Sequence, residues 1–533
     1  MLIDARKLTA DETINCDICI VGAGAAGITL AYELCDTGME VVLLESGGMK
    51  FEDNTQDLNK GDVNLKVHGP LEEYRRRQFG GATTAWGGRC VPFDEIDFET
   101  RSYVPHSGWP ITKRDLDPYY ARAHVYCDIG AYTYDVKEVF SDHNSQQSMI
   151  PGLKSEEIEL NKLYRFSPPT NFGKKYIDKL KKSRNIKIFL YANCLKIITD
   201  DEGNNVSHLK VGTLLKNECY FYAKQYILAL GGLEVTRLLL LSNDVHSQGI
   251  GNHSNLLGRF YMCHFAHYAE VQFTSQDVLI GYEKTSEGVY CQRAITVNEE
   301  IQRQQQLLNM RAFMERPNPS DPSHNNGTLS GTYLALSLFN KKIPDHNLLA
   351  HLKNIVFDFN DVLIFSQKWI AQKKFGKRKL PAVIFKNNGN IYNLRIDTEQ
   401  VPNPDSRVTL SDNLDSFGLN RLKVDWQYTD LDVQNMSKTT KLIEQALINS
   451  GVGKIRVLPN SNLKALKGHH IGTTRMASTP NSGVVDENCK VYGLNNLYIA
   501  SSSVFPTSSY ANPTLTLLAI TLRLADHIKS FYR

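Results

Sequence analysis

Residues 17–46 read DICIVGAGAAGITLAYELCDTGMEVVLLES, and the reading of the whole chain starts from them. Ile18 to Val21 is a short apolar run of the kind found in strands buried on both faces. Gly22, Gly24 and Gly27 follow with G-x-G-x-x-G spacing. The first glycine permits a tight turn, the second lets a pyrophosphate approach the backbone, and the third lets a helix pack close to the strand. Ala25 and Ala26 open that helix, which runs to Cys35 and points its free N–H groups at the phosphates. Gly38 ends it, Val41 to Leu44 forms a second strand, and Glu45 and Ser46 close the unit. Glu45 lies 18 positions after Gly27, where a carboxylate can accept hydrogen bonds from an adenosine ribose. A glycine triplet alone is weak evidence. Strand, triplet, helix, strand and acid in register predict a bound dinucleotide.

The chain has 533 residues, too many for one core, so two interleaved domains are expected. With 60 Lys and Arg against 57 Asp and Glu, the net charge is only +3, which argues against a nucleic-acid partner. Ten cysteines follow no disulfide framework and the N-terminus does not resemble a signal peptide; both favour a cytoplasmic setting. Cys16 and Cys19 form a lone C-x-x-C, half a zinc site at most, and read as packing residues, so no metal is expected. The uncharged stretch 497–522 contains Pro506, Asn512, Pro513 and many serines, and reads as strand, loop and helix rather than a membrane span.

Met1 to Asn15 reads as a polar leader and 47–69 as loop. Residues 74–88, YRRRQFGGATTAWGG, place Thr83, Thr84, Ala85 and Trp86 between Gly80, Gly81, Gly87 and Gly88, a flexible backbone able to lie against a flat ligand. Composition alone would describe a surface loop equally well. Strands are expected at 187–198, 206–213 and 226–230, and Gly231-Gly232 leads into a helix over 233–241. No second glycine triplet occurs, which argues against a reductase with separate FAD and NAD(P)H units. Residues 263–395 read as polar loops between strand-like segments. Within them 362–379, VLIFSQKWIAQKKFGKRK, is apolar early and basic late; it reads as a surface helix with a solvated end, with contact to an anionic membrane as the alternative. Near the C-terminus come GHHIGTTRM at 468–476, a strand at 497–499, a serine-rich turn containing Ser502 and Ser503, and YANPTLT at 510–516. Asn512 suits a helix N-cap, Pro513 the first helical position, and Thr514 continues a helical pattern to Ile528.

With RQFGGATTAWGG (77–88), LALGGLEVTRLLLLS (228–242), LGRFYMCH (257–264) and DSRVTL (405–410), these segments resemble, in order, the glucose–methanol–choline (GMC) flavoprotein oxidoreductases, in particular the branch of pyranose oxidase and fructose or gluconate dehydrogenase. The resemblance implies an α/β fold. A Rossmann-type FAD-binding domain would draw on 1–100, 190–262 and 462–533, and a sheet-based α+β substrate domain on 101–189 and 263–461. It implies FAD-dependent oxidation of an alcohol, with hydride passing from C–H to flavin N5, on a sugar, cyclitol or other polyhydroxy substrate. His469 matches the family's base in H-x-x-G-T and would take the hydroxyl proton; Asn512 matches its partner. His470, one residue out of register, is the competing candidate. The FAD contacts implied are Gly22, Gly24, Ala25, Ala26, Gly27, Glu45, Ser46, the 80–88 loop, Gly231, Ser502, Ser503, Asn512, Pro513 and Thr514. The helix beginning at Pro513 would aim its positive end at a reduced flavin anion. Ser501 stands where the family often has Asp and is given no contact. Ala85 stands where pyranose oxidase has the histidine that attaches the flavin, so FAD is expected to be non-covalent. The electron acceptor (oxygen, a quinone or a redox protein) is left open. The alternatives are a membrane-linked dehydrogenase subunit passing electrons to a partner, a lyase with a non-redox flavin, and a non-catalytic flavin-binding module.

Overall fold

The computed structural model describes every residue except 141–146, 317, 340–346, 376–389, 458–464, 466, 467 and 533. Its first sheet is organised on Glu12–Val21, whose last four residues are buried. This strand lies between Val41–Leu44 and Glu218–Leu228, parallel to both. Ile186–Leu190 and then Leu2–Asp4 extend the parallel run beyond Val41–Leu44. Glu218–Leu228 takes two further neighbours: Val206–Gly212 runs antiparallel along its start, and Leu497–Ile499 runs parallel along its end. Helices Ala25–Glu33 and Pro513–Ser530 pack on each other beside this sheet. The parallel strands with a helical crossover are the α/β arrangement expected from residues 17–46.

Local expectations were corrected in four places. The leader is not free: Leu2–Asp4 pairs with Ile188 to Leu190 as an edge strand, too short to show a period in sequence. The single strand expected at 187–198 divides into Ile186–Leu190 and Asn193–Thr199 because Tyr191 adopts a left-handed conformation at φ 60. The 47–69 loop contains the helix Asp53–Asp57 and the strand Gly61–Val63, which joins a three-stranded sheet with Arg407–Leu414 and Asn420–Asp425. Finally, 263–395 holds more than strands, loops and the helix expected at 362–379, whose described part is Phe359–Phe375: it also includes helices Gly327–Phe339 and Leu348–Phe357. The first of these carries two Gly, two Thr and two Ser in thirteen residues, which weaken a helical pattern.

The second large sheet is antiparallel. Its order is Gly453–Val457, Phe265–Phe273, Ile391–Thr398, Met310–Glu315, Tyr290–Val297, Ile158–Phe166 and Arg89–Cys90, with Tyr282–Lys284 added against Tyr290–Val297. Phe265–Phe273 alternates buried and more exposed residues, so one face meets a core. That core includes Leu442, Ile443 and Leu447 of the helix Asp430–Asn449. A fully buried ion pair, Arg101 to Glu399 with nitrogen–oxygen distances of 2.5 and 2.8 Å, ties the segment after Arg89–Cys90 to the end of Ile391–Thr398.

Candidate active site

The loop after Val21 opens into a cleft whose space, including its mouth, is about 1,570 Å³. Gly22, Gly24, Ala25, Ala26, Glu45 and Ser46 line it, as do Gly81, Thr83, Trp86, Gly231, Ser502, Pro513 and Thr514. The remaining candidates serve as frame. A Cβ on Gly27 would stand 1.8 Å from the carbonyl oxygen of Gly22, so only glycine lets the helix sit this close to the turn. Gly80 lies against Gly173, the Gly88 carbonyl accepts from the Ser167 N–H, and Ser503 accepts from the Thr474 hydroxyl at 2.6 Å. Thr84 donates to the Gly81 carbonyl, while Ala85 and Gly87 are exposed.

The cleft fits a dinucleotide by its chemistry. A Cβ on Gly24 or Gly231 would meet nothing within 4 Å, so both leave bare backbone facing space. Glu45 is buried, with one carboxylate oxygen accepting from the Ala23 N–H at 3.0 Å and the other from the Gly47 N–H at 2.9 Å. Burial raises its pKa against those two bonds. Four cleft residues were not singled out from sequence: Arg75, Arg77, Glu234 and Arg237. Glu234 sits 3.1 Å from Arg75, 2.6 Å from Arg77 and 3.0 Å from Arg237. Glu234 is deeply buried, but these three guanidinium groups hold its carboxyl well below the usual range. The basic start of 74–88 is the signal in the sequence that points to them.

Beyond the cleft, Met262 and Ile471 pair as an antiparallel bridge, with N–H to carbonyl distances of 3.0 and 3.1 Å. A Cβ on Gly472 would stand 2.2 Å from the Phe260 carbonyl oxygen, so glycine permits the approach. Antiparallel register then sets residue 264 opposite residue 469. The Nδ1 atoms of His264 and His469 are 2.8 Å apart. His264 is fully buried, and its Nε2 lies 3.0 Å from the Ser508 carbonyl oxygen.

These contacts determine the tautomers. A carbonyl only accepts, so His264 carries its proton on Nε2. Burial lowers its pKa to about 4, so it is neutral and its Nδ1 is an acceptor. His469 must therefore donate from Nδ1, which leaves a lone pair on its Nε2. The Asn512 Nδ2 lies 3.1 Å from that Nε2 and donates to it. Burial, then the neighbouring His264 and Arg395, push the His469 pKa well below the ordinary histidine value. Asn512 does occupy the N-cap position of Pro513–Ser530, but its side chain makes no cap hydrogen bond; it is turned to His469 instead.

His470 faces another way. Its Nδ1 is 2.7 Å from the Tyr261 hydroxyl, which is 2.8 Å from the Nε2 of His68 and 3.3 Å from the Cys263 sulfur. The ligating atoms of His68, Cys263 and His470 lie within 4.8 Å of one another, but the Tyr261 hydroxyl stands among them at hydrogen-bond distances. The cluster is a hydrogen-bonded knot, and His470 is also one of the residues lining the cleft. All ten cysteines are free thiols, Cys16 and Cys19 included.

Residues 402–521 match the family model described as GMC oxidoreductase, and residues 20–51 match that of an NAD(P)-binding Rossmann-like domain. Over 402–521 the chain is thus similar to the GMC oxidoreductases. The chain is 22% identical to the 6'''-hydroxyparomomycin C oxidase of Streptomyces lividus, over 96% of this chain and 91% of the relative. It is also 22% identical to the fructose dehydrogenase large subunit of Gluconobacter japonicus, over 97% and 98%. Among solved structures it shares its fold with a variant of Aspergillus oryzae formate oxidase examined for FAD modification, at TM-score 0.56 and 16% identity, over 98% and 99% of the chains. The cleft is built to suit a dinucleotide. Among the described residues, no helix is long and apolar enough to cross a membrane.

Proposed function

We propose that this chain is an FAD-dependent oxidoreductase of the GMC type that oxidises a hydroxyl group of a sugar, cyclitol or similar polyhydroxy molecule, with His469 as the base. The reading is carried by one observation: a chain of hydrogen bonds leaves the Nε2 of His469 unprotonated beside the Asn512 amide. FAD, when bound, supplies the acceptor for the hydride that leaves the substrate carbon. The protein does the rest. Glu45 offers carboxylate oxygens to the ribose hydroxyls, and Gly24 and Gly231 let phosphates approach the backbone. The N-terminal end of Pro513–Ser530 favours negative charge beside it.

The substrate hydroxyl approaches the Asn512–His469 pair from the side and takes the place of their direct hydrogen bond. Its oxygen accepts from the Asn512 Nδ2–H, and its proton points at the His469 Nε2. As the carbonyl forms, Nε2 takes the proton. A depressed pKa keeps His469 neutral and ready for that step at neutral pH. His264 holds the ring from behind and is a positioning residue. The relatives named for an aminoglycoside and for fructose support a polyhydroxy substrate. The cleft's lining, drawn mainly from 21–86, 192–241 and 468–517, supports a discontinuous FAD-binding domain. Ten free cysteines support a cytoplasmic setting.

Anaerobic mixing with sugars, aminosugars, polyols and aryl alcohols tests the function. A polyhydroxy compound should bleach the flavin, and the reading fails if none does while an aryl alcohol does. FAD is held without a covalent bond, because Ala85 has no nucleophilic nitrogen. Acid precipitation should leave the yellow colour in the supernatant; a yellow pellet, or an intact mass raised by that of FAD, would refute this.

A further inference from the structure

The helices Gly327–Phe339, Leu348–Phe357 and Phe359–Phe375 pack on one another in an arrangement that reverses the usual order of a water-soluble bundle. Polar groups are inside. His351 is fully buried, with Nδ1 2.9 Å from the Ser330 hydroxyl and Nε2 3.3 Å from the Ser320 carbonyl. Asn354 donates to the Pro322 carbonyl at 2.8 Å and to the Ser330 hydroxyl at 3.2 Å, and Asp358 accepts from the Gly327 N–H at 2.7 Å. Apolar groups are outside. Of 28 large apolar side chains exposed among the described residues, ten fall between Leu336 and Ile364. Leu349 is 82% exposed, Leu338 and Phe357 77%, and Val356 72%, with Phe359 and Ile364 beside them in sequence. Single exposed hydrophobics need no explanation, but a concentration of this kind marks an interaction surface.

Charge says what covers it. In sequence, 327–379 holds nine Lys and Arg against three Asp and no Glu, a net +6 in a chain whose total is +3. The remainder of the protein is therefore net negative. Protein interfaces favour Tyr, Trp, Met and Arg and are poor in Lys. Leu, Phe, Val and Ile accompanied by lysines are the composition of helices that lie in the headgroup layer of an anionic bilayer. The helices have 13, 10 and 17 residues, too short to span it.

We propose that this three-helix insert seats the enzyme on an anionic lipid surface, with Leu338, Leu349, Val356 and Phe357 entering the acyl boundary. The membrane reading, the lesser alternative from sequence, becomes the stronger one once the apolar face is seen. The basic residues Lys341, Lys342, Lys377, Arg378 and Lys379, and the side chains of Lys368, Lys373 and Lys374, lie outside the described residues, so the charge argument is made from sequence and the structural one rests on the apolar residues of 327–339 and 347–364. The insert leaves the substrate sheet between Glu315 and Ile391. In the ladder, Glu315 pairs with Asn393 and Met310 with Thr398; Phe265, next to His264, also pairs with Thr398. Five residues of strand, about 17 Å, therefore separate the insert's root from the His264 end of the sheet. The proposal is independent of which substrate the enzyme takes.

The test is flotation of the full-length flavoprotein with phosphatidylcholine vesicles, with and without phosphatidylglycerol, at low and high salt. Wild type should float with the anionic vesicles at low salt, be largely released at high salt, and bind neutral vesicles weakly. The double variant Leu349→Asp/Phe357→Asp should partition at least about tenfold less, while flavin content and turnover of a soluble substrate stay unchanged. No capture of wild type by anionic vesicles overturns the proposal, as does equal capture of the variant. Equal capture by neutral vesicles overturns the anionic assignment. A dimer in light scattering that the variant dissolves, without vesicle binding, would assign the face to a second copy of the chain instead.

Discussion

The cleft and the histidine pair meet at Gly468 to His470, yet they are made in different ways. The cleft is mainly backbone. Its glycines, helix start and Glu45 follow one another in sequence, and each acts through a local conformation. The histidine pair is made by register: Met262 against Ile471 sets His264 opposite His469, across 205 positions of sequence. Local errors are tolerated differently by the two. A side-chain change in the cleft removes one of many contacts to a large ligand, whereas one change in the pair alters where a single proton resides.

The sharpest break of this comparison is His469→Ala. It should slow anaerobic flavin reduction by about 10²–10⁴, the usual worth of a general base, and leave FAD bound. Alkaline pH should restore part of the rate. His470→Ala, whose ring faces Tyr261, should reduce its flavin far faster than His469→Ala; the reverse order would place the base one residue later. In the wild type, the depressed pKa of His469 means the base is unprotonated at lower pH than an ordinary histidine. The reduction rate should stay level through neutrality and fall only below about pH 6.5. A limb centred above pH 7 would contradict the burial argument.

His264 comes next. His264→Leu removes the acceptor for the Nδ1–H of His469 and frees the ring to turn or change tautomer, with an expected loss on the order of 10²-fold in reduction rate. His264→Gln puts a carbonyl oxygen within reach of the same N–H and should recover most of it. Equal loss in both variants, with unchanged folding, would mean the side chain only fills space. A smaller effect belongs to the cleft: Glu45→Ala loses charge-assisted bonds worth about 1.5–3 kcal/mol, an increase in FAD dissociation constant of about ten- to a hundredfold. Unchanged retention of colour on dilution would sink the ribose role. Smallest is the stability change in Asn512→Ala. A capping Asn would cost about 0.5–2 kcal/mol on removal. Because this side chain bonds His469 and not its own helix, thermal unfolding should move by less than that, while flavin reduction slows.

Much of the cleft was legible because its information is contiguous. Strand, Gly22-x-Gly24-x-x-Gly27, helix and Glu45 each leave a signature in neighbouring residues, and the loop 80–88 does the same through its glycines. His469 and Asn512 were legible only through resemblance. His264 was quoted within LGRFYMCH but given no role, since nothing in eight residues tells which distant segment they pair with. Asn512 was read as a cap because propensity assumes that an N-terminal Asn serves its own helix. Of the three-helix insert only the last helix, near 362–379, was legible; the other two were missed for a different reason. Their apolar residues face outward, so the pattern that normally reports a buried stripe has no core to report.

A hydrogen bond between two imidazole Nδ1 atoms has the same chemistry at either end, so the shared proton has no intrinsic owner. What breaks the symmetry is the Ser508 carbonyl oxygen at the far side of His264. That oxygen belongs to the peptide backbone, and no exchange of side chains at position 508 deletes it. The orientation of the base is thus stored in the path of the chain between the serine-rich turn and Asn512. Insertions or deletions there, rather than point substitutions, are the changes able to turn the proton around.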